Sequence, residues 1–490
     1  MGPLDILYIG ADQLRFDCLA VNGHPLIQTP NLDRLALRGV SFVNAFTPCP
    51  VCSPARASLM TGQWAHRHAC ITIPQWTEAH RGMAPTGETL PQVLHAAGYE
   101  QYYVGKWHLD DHSGHPMPED LGIDHFIPEG HYYPWRTGQG FPLGLHGQDW
   151  WTFAGDPEKF DILIRGGTDS HIKPEQSKLH WGADRTIEFI RSAAATDKPF
   201  MIRWDPSEPH PTNIVPEPYA SMYDPLDIQA WGSMPENFLG KPFIQQQQLR
   251  NWGVDRWIWE DWAPLVARYL GEISLLDYEV GRVLSALEDS GRAGSTVVVF
   301  TADHGDLCGS HGMMDKHFVM YDDIVKVPLI IAMPTKSAAG QGRKESCFVS
   351  HAIDLASTLC DAAGVGIPES YMGKSLVPAM RGTGTTGREF IVSAYHGGQF
   401  GLFSQRMIRD HRFKYVWNPT DVDELYDLGE DPWELDNRID HPQEQIELAR
   451  LRKCLVEWMR ETADPLLNPW TMAQLVHGRK GKVRADGFPR

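Results

Sequence analysis

The segment Cys52-Ser53-Pro54-Ala55-Arg56 places a thiol close to a permanent cation. A lone cysteine in a long chain is usually a small apolar core residue, so Cys52 by itself predicts no chemistry. Arg56 follows one helical turn later, where its guanidinium can offset negative charge near the thiol. Pro54 fits the opening of a helix, whose N-terminal amides stabilise a developing anion. From this spacing alone, two alternatives stay open: an activated nucleophile, and a core cysteine followed by a surface arginine.

Two further segments carry groups that bind anions or move protons. Lys106 and His108 alternate along an extended segment and can point to one side, toward the same anionic group. An isolated Lys-x-His pair is more often surface decoration, and this alternative stays open for the pair alone. His210 lies in SEPHP (207–211), and an imidazole with a near-neutral pKa can act as a general acid.

Short apolar runs lead into several of the polar clusters. DILYIG (5–10) ends at Asp12-Gln13, KPFMIRW (198–204) at DPSEPH, and STVVVF (295–300) at TADHGD. Each run is typical of a buried strand that delivers polar groups at its C-terminal end. Helical patterns lie between the runs, at 30–38, 89–98 and 273–291. Alternating strands and helices predict an α/β sandwich around a mostly parallel sheet, in which ligands gather at the C-terminal ends of the strands.

The Gly/Thr-rich stretch RGTGTTG (381–387) predicts a domain boundary. We therefore expect a catalytic α/β domain over residues 1–380 and a smaller α+β subdomain over 381–490. The subdomain should contain strands near EFIVSAY and FKYVWN and a helix from about 443 to 462. The basic final segment, 477–490, lacks periodicity and is expected to be a mobile tail.

Composition excludes several classes of partner. The chain has 490 residues, and its 62 acidic against 44 basic residues give a formal net charge of -18. A phosphate-rich polymer would be repelled, so nucleic acid is not an expected partner. No run of about 18 apolar residues occurs, which argues against a membrane partner. The N-terminus shows no secretory leader and the eight cysteines show no metal-finger spacing, so we expect free thiols and a cytoplasmic location.

Two motifs carry a family resemblance. CSPARASLMTG (52–62) resembles the sulfatase signature C-x-P-S/A-R, which is followed by a helix that ends in T-G. GYEQYYVGKWH (98–108) is similar to the second signature, G-Y-x-T-x-x-x-G-K-W-H, with Gln101 or Tyr102 replacing the usual threonine. LYDLGEDPWELDN (425–437) looks like the closing segment of the family. The chain is identified as a member of the sulfatase family of the alkaline phosphatase superfamily, close to its arylsulfatases and phosphonate monoester hydrolases. An alkaline-phosphatase-like sandwich is implied.

The resemblance also implies roles for individual residues. Cys52 would be oxidised to formylglycine by the formylglycine-generating enzyme, and the aldehyde hydrate would be the nucleophile. Sulfate oxygens would be held by cationic side chains, at Arg56, Lys106 and Lys316. His210 would protonate the leaving alcohol, and His108 would deprotonate the remaining hydroxyl. One divalent metal ion would be bound by five residues, Asp12, Gln13, Cys52, Asp303 and His304. His311 and His317, which flank Lys316, are left out of the predicted site.

Departures at two positions leave the metal and the substrate open. Many sulfatases have Asp-Asp and Asp-Asn where this chain has Asp12-Gln13 and Asp303-His304. Gln13 and His304 instead resemble the residues of the phosphonate monoester hydrolases and of related bacterial sulfatases. The metal is calcium or manganese, and the amide and imidazole shift the preference toward manganese or iron. The expected substrate is a small-molecule sulfate ester, because GKWH is the sulfatase form of the second motif. A phosphonate monoester or phosphodiester is the alternative. A binding protein whose cysteine is never oxidised is a third interpretation.

Assembly is predicted from the end of the chain. The 17 tryptophans and the C-terminal extension exceed what the chemistry needs. Related dimeric or tetrameric proteins use C-terminal segments to cover neighbouring subunits. Only a sizeable interface could hold such a segment in place, so we expect a homodimer or homotetramer.

Overall fold

The structure is a computed structural model that describes residues 3–76, 82–141, 150–154, 164–234, 236–334, 342–398 and 400–478. The strands are β1 (Asp5–Ala11), β2 (Val40–Phe42), β3 (Ala45–Phe46), β4 (Glu100–Gly105), β5 (His125–Pro128), β6 (Trp150–Ala154), β7 (Ile164–Thr168), β8 (Phe200–Asp205), β9 (Asn213–Val215), β10 (Thr296–Ala302), β11 (Leu329–Ala332), β12 (Arg343–Glu345), β13 (Val349–Ser350), β14 (Ile391–Gly398), β15 (Gly401–Arg409), β16 (Phe413–Trp417) and β17 (Glu424–Asp427). The α-helices are α1 (Pro30–Arg38), α2 (Cys52–Thr61), α3 (Ala65–His68), α4 (Leu90–Ala96), α5 (Tyr132–Gly138), α6 (Lys178–Ala194), α7 (Phe243–Trp252), α8 (Trp259–Asp289), α9 (Asp322–Val325), α10 (His351–Ala363), α11 (Val377–Met380), α12 (Gln445–Glu461) and α13 (Pro469–His477).

The largest sheet in the described residues has eight strands, in the order β12-β2-β11-β10-β1-β8-β4-β5. Strands β10, β1, β8, β4 and β5 are parallel neighbours in that sheet. Strand β11 runs antiparallel to both of its neighbours, β10 and β2, and β12 pairs in parallel with β2. The expectation of a mostly parallel sheet is confirmed.

Helices cover both faces of the sheet. Along β1 the side chains alternate: Leu7 and Ile9 pack in one hydrophobic cluster, with residues of α1, α6 and α8. Ile6 and Tyr8 pack in a second cluster on the opposite face, with residues of α4 and α10. Because successive side chains of a strand point to opposite faces, a strand covered on both sides is apolar throughout. The predicted α/β sandwich is confirmed.

Helix α8 is longer than its pattern predicted. The apolar spacing predicted a helix from residue 273, whereas α8 begins at Trp259 and contains Pro264. Pro264 is the sixth residue of α8 and has no N–H, so the hydrogen bond to the carbonyl oxygen of Glu260 is missing in the second turn of the helix. Most of α8 is buried, so tertiary packing rather than propensity sets its length.

The C-terminal region forms a separate sheet. Strands β14, β15, β16 and β17 pair antiparallel in chain order, and α12 contacts β15 and β16. This smaller α+β unit was expected, with α12 close to its predicted bounds, whereas the exact division at residues 380 and 381 stays a prediction. The helix α13 was not predicted. The predicted tail beyond Gly478 lies outside the described residues.

Two general expectations bear on the described residues. All eight cysteines lie in this part of the chain and none is paired in a disulfide, as expected. Among the helices of the described residues, none has the length and apolar character needed to span a membrane.

Candidate active site

Four neighbouring strands deliver polar side chains to one edge of the main sheet. Asp303 follows β10, Asp12 follows β1, Asp205 ends β8 and Lys106 follows β4. These four strands are parallel neighbours, so their C-terminal ends meet. Gly105 ends β4 with a φ of 112°, and a Cβ there would lie 2.1 Å from the carbonyl oxygen of Asp205. Only glycine permits this close approach, which brings Lys106 into the site.

Helix α2 begins at Cys52 and points its N-terminus at the same edge. Its cap residue, Val51, has an extended backbone and makes no side-chain capping hydrogen bond. All ten residues of α2 are buried, which explains the run of serine and alanine in this motif. Arg56 lies one turn beyond Cys52, as predicted, and is 3% exposed.

Cys52 lies within a compact group of potential metal ligands. Its Sγ is 3.6 Å from Asp12 Oδ1 and 3.2 Å from His304 Nε2. Ligand atoms of Asp12, Cys52, Asp303 and His304 all lie within 4.8 Å of one another, and all four residues are buried. His304 Nδ1 donates to the carbonyl oxygen of Gly305 at 2.9 Å, which leaves Nε2 available to a metal. Two carboxylates, an imidazole and a sulfur fit a divalent cation of intermediate softness.

The charges of this group shift each other's pKa. Burial alone would raise the pKa of Cys52, but Lys106, Lys316 and His304 lower it well below its usual value, helped by a hydrogen bond from His108. Burial opposes protonation of His304, yet Asp303 and Cys52 raise its pKa to about 9. A cation that binds here displaces the His304 proton, as metal binding commonly does.

Arg56 compensates the buried carboxylates. Its Nε donates to Asp303 Oδ2 at 3.0 Å, and its Nη1 donates to Asp205 Oδ2 at 2.7 Å. Its Nη2 lies 3.8 Å from Asp12 Oδ2, and its Nη1 also donates to the carbonyl oxygen of Lys106 at 3.0 Å. The guanidinium thus ties together the ends of four strands.

The orientation of the Gln13 amide is set by two further carboxylates. Its Nε2 donates to Asp306 Oδ2 at 2.7 Å and to Asp315 Oδ1 at 2.9 Å. Because both acceptors take N–H groups, the amide oxygen must point the other way, where it accepts from Lys316. Gln13 has a left-handed backbone with φ 62°, uncommon for a residue with a side chain. The direction of the amide oxygen of Gln13 is therefore fixed both by the backbone conformation and by the hydrogen bonds of the amide nitrogen.

His210 and Lys316 lie on the other side of the site. His210 Nδ1 donates to the carbonyl oxygen of Pro211 at 2.6 Å, and its Nε2 is 3.2 Å from Lys316 Nζ. Lys316 also pairs with Asp315 at 3.2 Å, and neighbouring carboxylates raise its pKa although burial opposes them. His210 lines a cavity of about 450 Å³ together with Lys106, so both face the same space.

The other histidines of this region differ in their surroundings. His108 has a left-handed backbone with φ 59°, and its side chain is close enough to Cys52 to lower the pKa of that thiol. His317 Nε2 is 3.3 Å from Asp315, and Tyr395 contacts its Nδ1 at 3.3 Å. His311 stacks on Tyr321 and pairs with Glu236 at 2.8 Å, away from Cys52.

The structure brings together the residues named from the sequence and adds three acidic residues that sequence reasoning missed. These are Asp205, Asp306 and Asp315. A signal existed for Asp205, which follows an apolar run in the same way as Asp12 and Asp303. Asp306 and Asp315 gave no comparable signal, because their role depends on a contact with Gln13 across about three hundred residues of sequence.

Comparisons with known proteins agree on one group. The model of the sulfatase family matches residues 5–365, and a model described as N-sulphoglucosamine sulphohydrolase, C-terminal, matches residues 309–461. The chain is 30% identical over 474 residues to an arylsulfatase of Clostridium perfringens, covering 92% of this chain and 94% of the relative. It is 29% identical over 464 residues to the uncharacterized sulfatase YidJ of Escherichia coli, covering 92% and 86%.

A solved structure extends the similarity to the fold. The phosphonate monoester hydrolase of Agrobacterium radiobacter superposes with a TM-score of 0.77 at 26% identity. The match covers 99% of both chains, including the C-terminal region.

Proposed function

The chain belongs to the sulfatase family, as its two motifs predicted, and we propose that it hydrolyses sulfate esters of small alcohols with a nucleophile derived from Cys52. The observation that carries the proposal is the position of Cys52 Sγ, 3.2 Å from His304 Nε2 and 3.6 Å from Asp12 Oδ1, at a helix N-terminus among lysine side chains. A thiol in this position is surrounded by groups suited to anion binding rather than by the apolar contacts of a core cysteine.

The nucleophile and the cation are both proposals. In the unmodified chain, Cys52 Sγ occupies the place that an oxygen of formylglycine would take. Conversion by the formylglycine-generating enzyme would supply an aldehyde hydrate, with one hydroxyl to attack sulfur and another to expel sulfate. The metal would be held by Asp12, Gln13, Asp303, His304 and residue 52, and would supply a Lewis acid. Calcium and manganese are both candidates.

The remaining side chains of the site would bind the sulfate oxygens or transfer protons. Lys316 is buried and Lys106 is half-buried, and both lower the pKa of the Cys52 thiol, so both are suited to stabilising the charge that develops on the sulfate oxygens. His108 lies beside residue 52, where it lowers the pKa of the thiol, and is placed to accept a proton from the nucleophile. His210 faces the cavity, and because its Nδ1 already donates to a carbonyl oxygen, its Nε2 can protonate the departing alcohol in the imidazolium form. Arg56 holds the carboxylates that these cations and the metal must share.

Phosphonate monoester hydrolysis is the second candidate. Gln13 and His304 replace the acidic and amide residues of many sulfatases, and the solved phosphonate monoester hydrolase shares the fold over its whole length. Both esters carry a single negative charge at neutral pH, so the net charge of the site cannot separate them.

A paired assay tests the proposal. Turnover of an aryl sulfate and of an aryl phosphonate monoester is measured at equal concentration, on protein whose Cys52 conversion has been quantified by intact mass. A higher kcat/KM for the sulfate supports sulfate ester hydrolysis, and a higher value for the phosphonate supports the alternative. If converted, metal-loaded protein cleaves neither ester, a non-catalytic binding role takes their place. The Cys52→Ala variant is the matched control for contaminating activity.

Three further expectations remain proposals. These are the division into domains at residues 380 and 381, a cytoplasmic location based on the free thiols, and assembly into a homodimer or homotetramer.

A further inference from the structure

A cavity of about 450 Å³ opens beside His210, on the side where the alcohol part of a substrate must leave. This volume is in the range of ordinary small-molecule sites and has room for a group the size of a monosaccharide. Its wall includes α5, the first turn of α6, the segment from Ser207 to Pro216, and Glu272 of α8. The cavity wall therefore contacts the alcohol, whereas Lys106 and His210 contact the reacting group.

The cations in this wall already have acidic partners. Arg136 makes two hydrogen bonds to Asp169, at 2.8 and 3.3 Å. Lys178 Nζ lies 3.4 Å from both Glu129 Oε2 and Glu208 Oε1. Among the described residues that line the cavity, the cations outside the catalytic group are thus already paired with carboxylates, and the atom of them that has no hydrogen-bond partner is Arg136 Nε.

Acidic groups, by contrast, exceed the cations. Glu129, Glu208 and Glu272 all line the cavity; Lys178 is close to all three, and Lys106 also acts on Glu129. Glu272 Oε2 accepts from Asn213 Nδ2 at 2.7 Å, a neutral donor. Buried carboxylates are costly unless a cation compensates them, so this wall lacks positive charge.

One acceptor atom of the wall has no protein partner. Glu208 is 8% exposed and its Oε1 faces Lys178, but its Oε2 is buried without a hydrogen-bond partner. Buried polar atoms are nearly always paired, so an unpartnered carboxylate oxygen at a ligand cavity indicates a donor that arrives with the ligand. Glu208 lies two residues before His210, next to the leaving-group position.

The pKa directions agree with this charge count. Burial raises the pKa of Glu208, with Lys178 lowering it and Glu129 raising it further. Burial also raises the pKa of Glu272 well above its usual value, and the nearby Glu208 adds to the shift. A bound cation would relieve both shifts.

We propose that the alcohol part of the substrate carries a protonated amine, which Glu208 and Glu272 bind beside His210. This inference rests on the proposed function, because it assigns the alcohol of the same ester. Sulfate esters of amino sugars or amino alcohols are the substrate class. Esters with acidic substituents would meet carboxylates without an available cation, and neutral polyols would leave the charge imbalance as it is.

Binding is tested first, without turnover. D-glucosamine and D-glucose differ by one amine, and their effect on the melting temperature of the wild-type protein reports affinity even if no ester is hydrolysed. A charge-assisted hydrogen bond to the amine predicts affinity for glucosamine roughly 10- to 100-fold higher than for glucose.

Turnover is tested with matched esters. We expect kcat/KM for glucosamine 6-sulfate to exceed that for glucose 6-sulfate, and 2-aminoethyl sulfate to exceed 2-hydroxyethyl sulfate, by roughly 10- to 100-fold. In Glu208→Gln the ratio should fall toward one, whereas in Glu457→Gln, which removes an exposed glutamate on α12, it should stay unchanged. Glu272→Gln provides the same measurement if Glu208→Gln does not fold.

The outcomes separate the two proposals. If the aryl sulfate is hydrolysed but neither binding nor turnover favours the amine, the amine site is wrong and the sulfatase activity stands. An amine preference that persists in both glutamate variants also overturns the site. If the aryl sulfate is not hydrolysed while glucosamine still binds more tightly than glucose, the proposed function fails and the amine site stands.

Discussion

Replacing Arg56 by methionine should lower the folding stability of the protein, an effect that can be measured without any turnover. The guanidinium is 3% exposed and lies 3.0 Å from Asp303, 2.7 Å from Asp205 and 3.8 Å from Asp12. Asp205 keeps Arg203 and Asp12 keeps Lys106 in the variant. Asp303 loses its arginine partner and retains two backbone donors, together with a histidine nitrogen at 3.7 Å.

The size of the effect follows from the loss of one buried partner, the guanidinium that pairs with Asp303. Removing one partner of a buried ion pair costs about 3–5 kcal/mol. For a chain of 490 residues, an unfolding entropy of about 2.1 cal/mol/K per residue amounts to roughly 1 kcal/mol/K. The melting temperature of metal-free Arg56→Met should therefore fall by about 3–5 °C.

Calorimetry with and without a divalent cation separates this account from a general loss of packing. Arg406→Met is the matched control, since Arg406 is fully buried and pairs with Asp464 at 2.6 Å, in the C-terminal region. Both variants should lose similar stability in EDTA. A bound cation should restore part of the loss in Arg56→Met, because it neutralises Asp303, and none in Arg406→Met. If metal-free Arg56→Met melts within about 1 °C of wild type, Arg56 does not compensate Asp303 as argued.

Four other predictions concern catalysis, pH dependence and assembly. Cys52→Ala should keep fold and metal binding but fall below about a hundredth of wild-type turnover, measured with an aryl sulfate, because the nucleophile is lost; higher turnover removes Cys52 from that role. His210→Ala should slow esters with poor leaving groups far more than activated aryl esters, and an unchanged leaving-group slope excludes general acid catalysis. Burial raises the pKa of Asp277 to about 6, so the folded state binds a proton that the unfolded state releases, and stability falls as pH rises from about 4 to 6. Asp277→Asn should remove that part of the decline when the free energy of unfolding in urea is measured against pH. Parallel pH profiles for the variant and the wild type would contradict this prediction. Light scattering should show a dimer or tetramer for the full chain, and a monomeric mass would contradict the assembly prediction. If a chain that ends at Asn468 forms the same oligomer, the assembly prediction stands but the tail has no role in it.

Strong local patterns made much of the fold predictable. Strands β1, β8 and β10 were read from their apolar runs, because strands buried on both faces carry little polar sequence. The direction of β11 could not be read, since parallel and antiparallel pairing depends on partners distant in sequence. Two- and three-residue strands such as β2 and β3 are too short to produce a periodicity.

The site was predictable where residues follow strands or belong to a motif, and obscure where a contact spans the chain. Gln101, which replaces or adjoins the usual threonine, illustrates the limit. Its amide donates to the carbonyl oxygens of Pro91 at 2.7 Å and Gly122 at 2.9 Å, so it links α4 to the loop before β5. No property of the sequence near residue 101 indicates those acceptors, because both are backbone atoms positioned by tertiary structure.

The C-terminal sheet supports the site, even though the motifs precede it in sequence. Asp322 of α9 is half-buried between Arg409 of β15 and Lys414 of β16, and Lys414 also pairs with Glu434 at 2.6 Å. These cations hold the pKa of Asp322 well below its usual value although burial opposes them.

The segment fixed by Asp322 begins only a few residues after Lys316, and the hydroxyl of Tyr395 in β14 contacts His317 at 3.3 Å. Loss of the C-terminal sheet would therefore remove both cations that hold Asp322 and release the segment that carries Lys316. Since Lys316 in turn contacts both Gln13 and His210, the geometry of a proposed metal ligand and of the proposed general acid depends on a sheet that contributes neither. A division of the chain at residue 380 thus separates two units by sequence, but the position of Lys316 requires both.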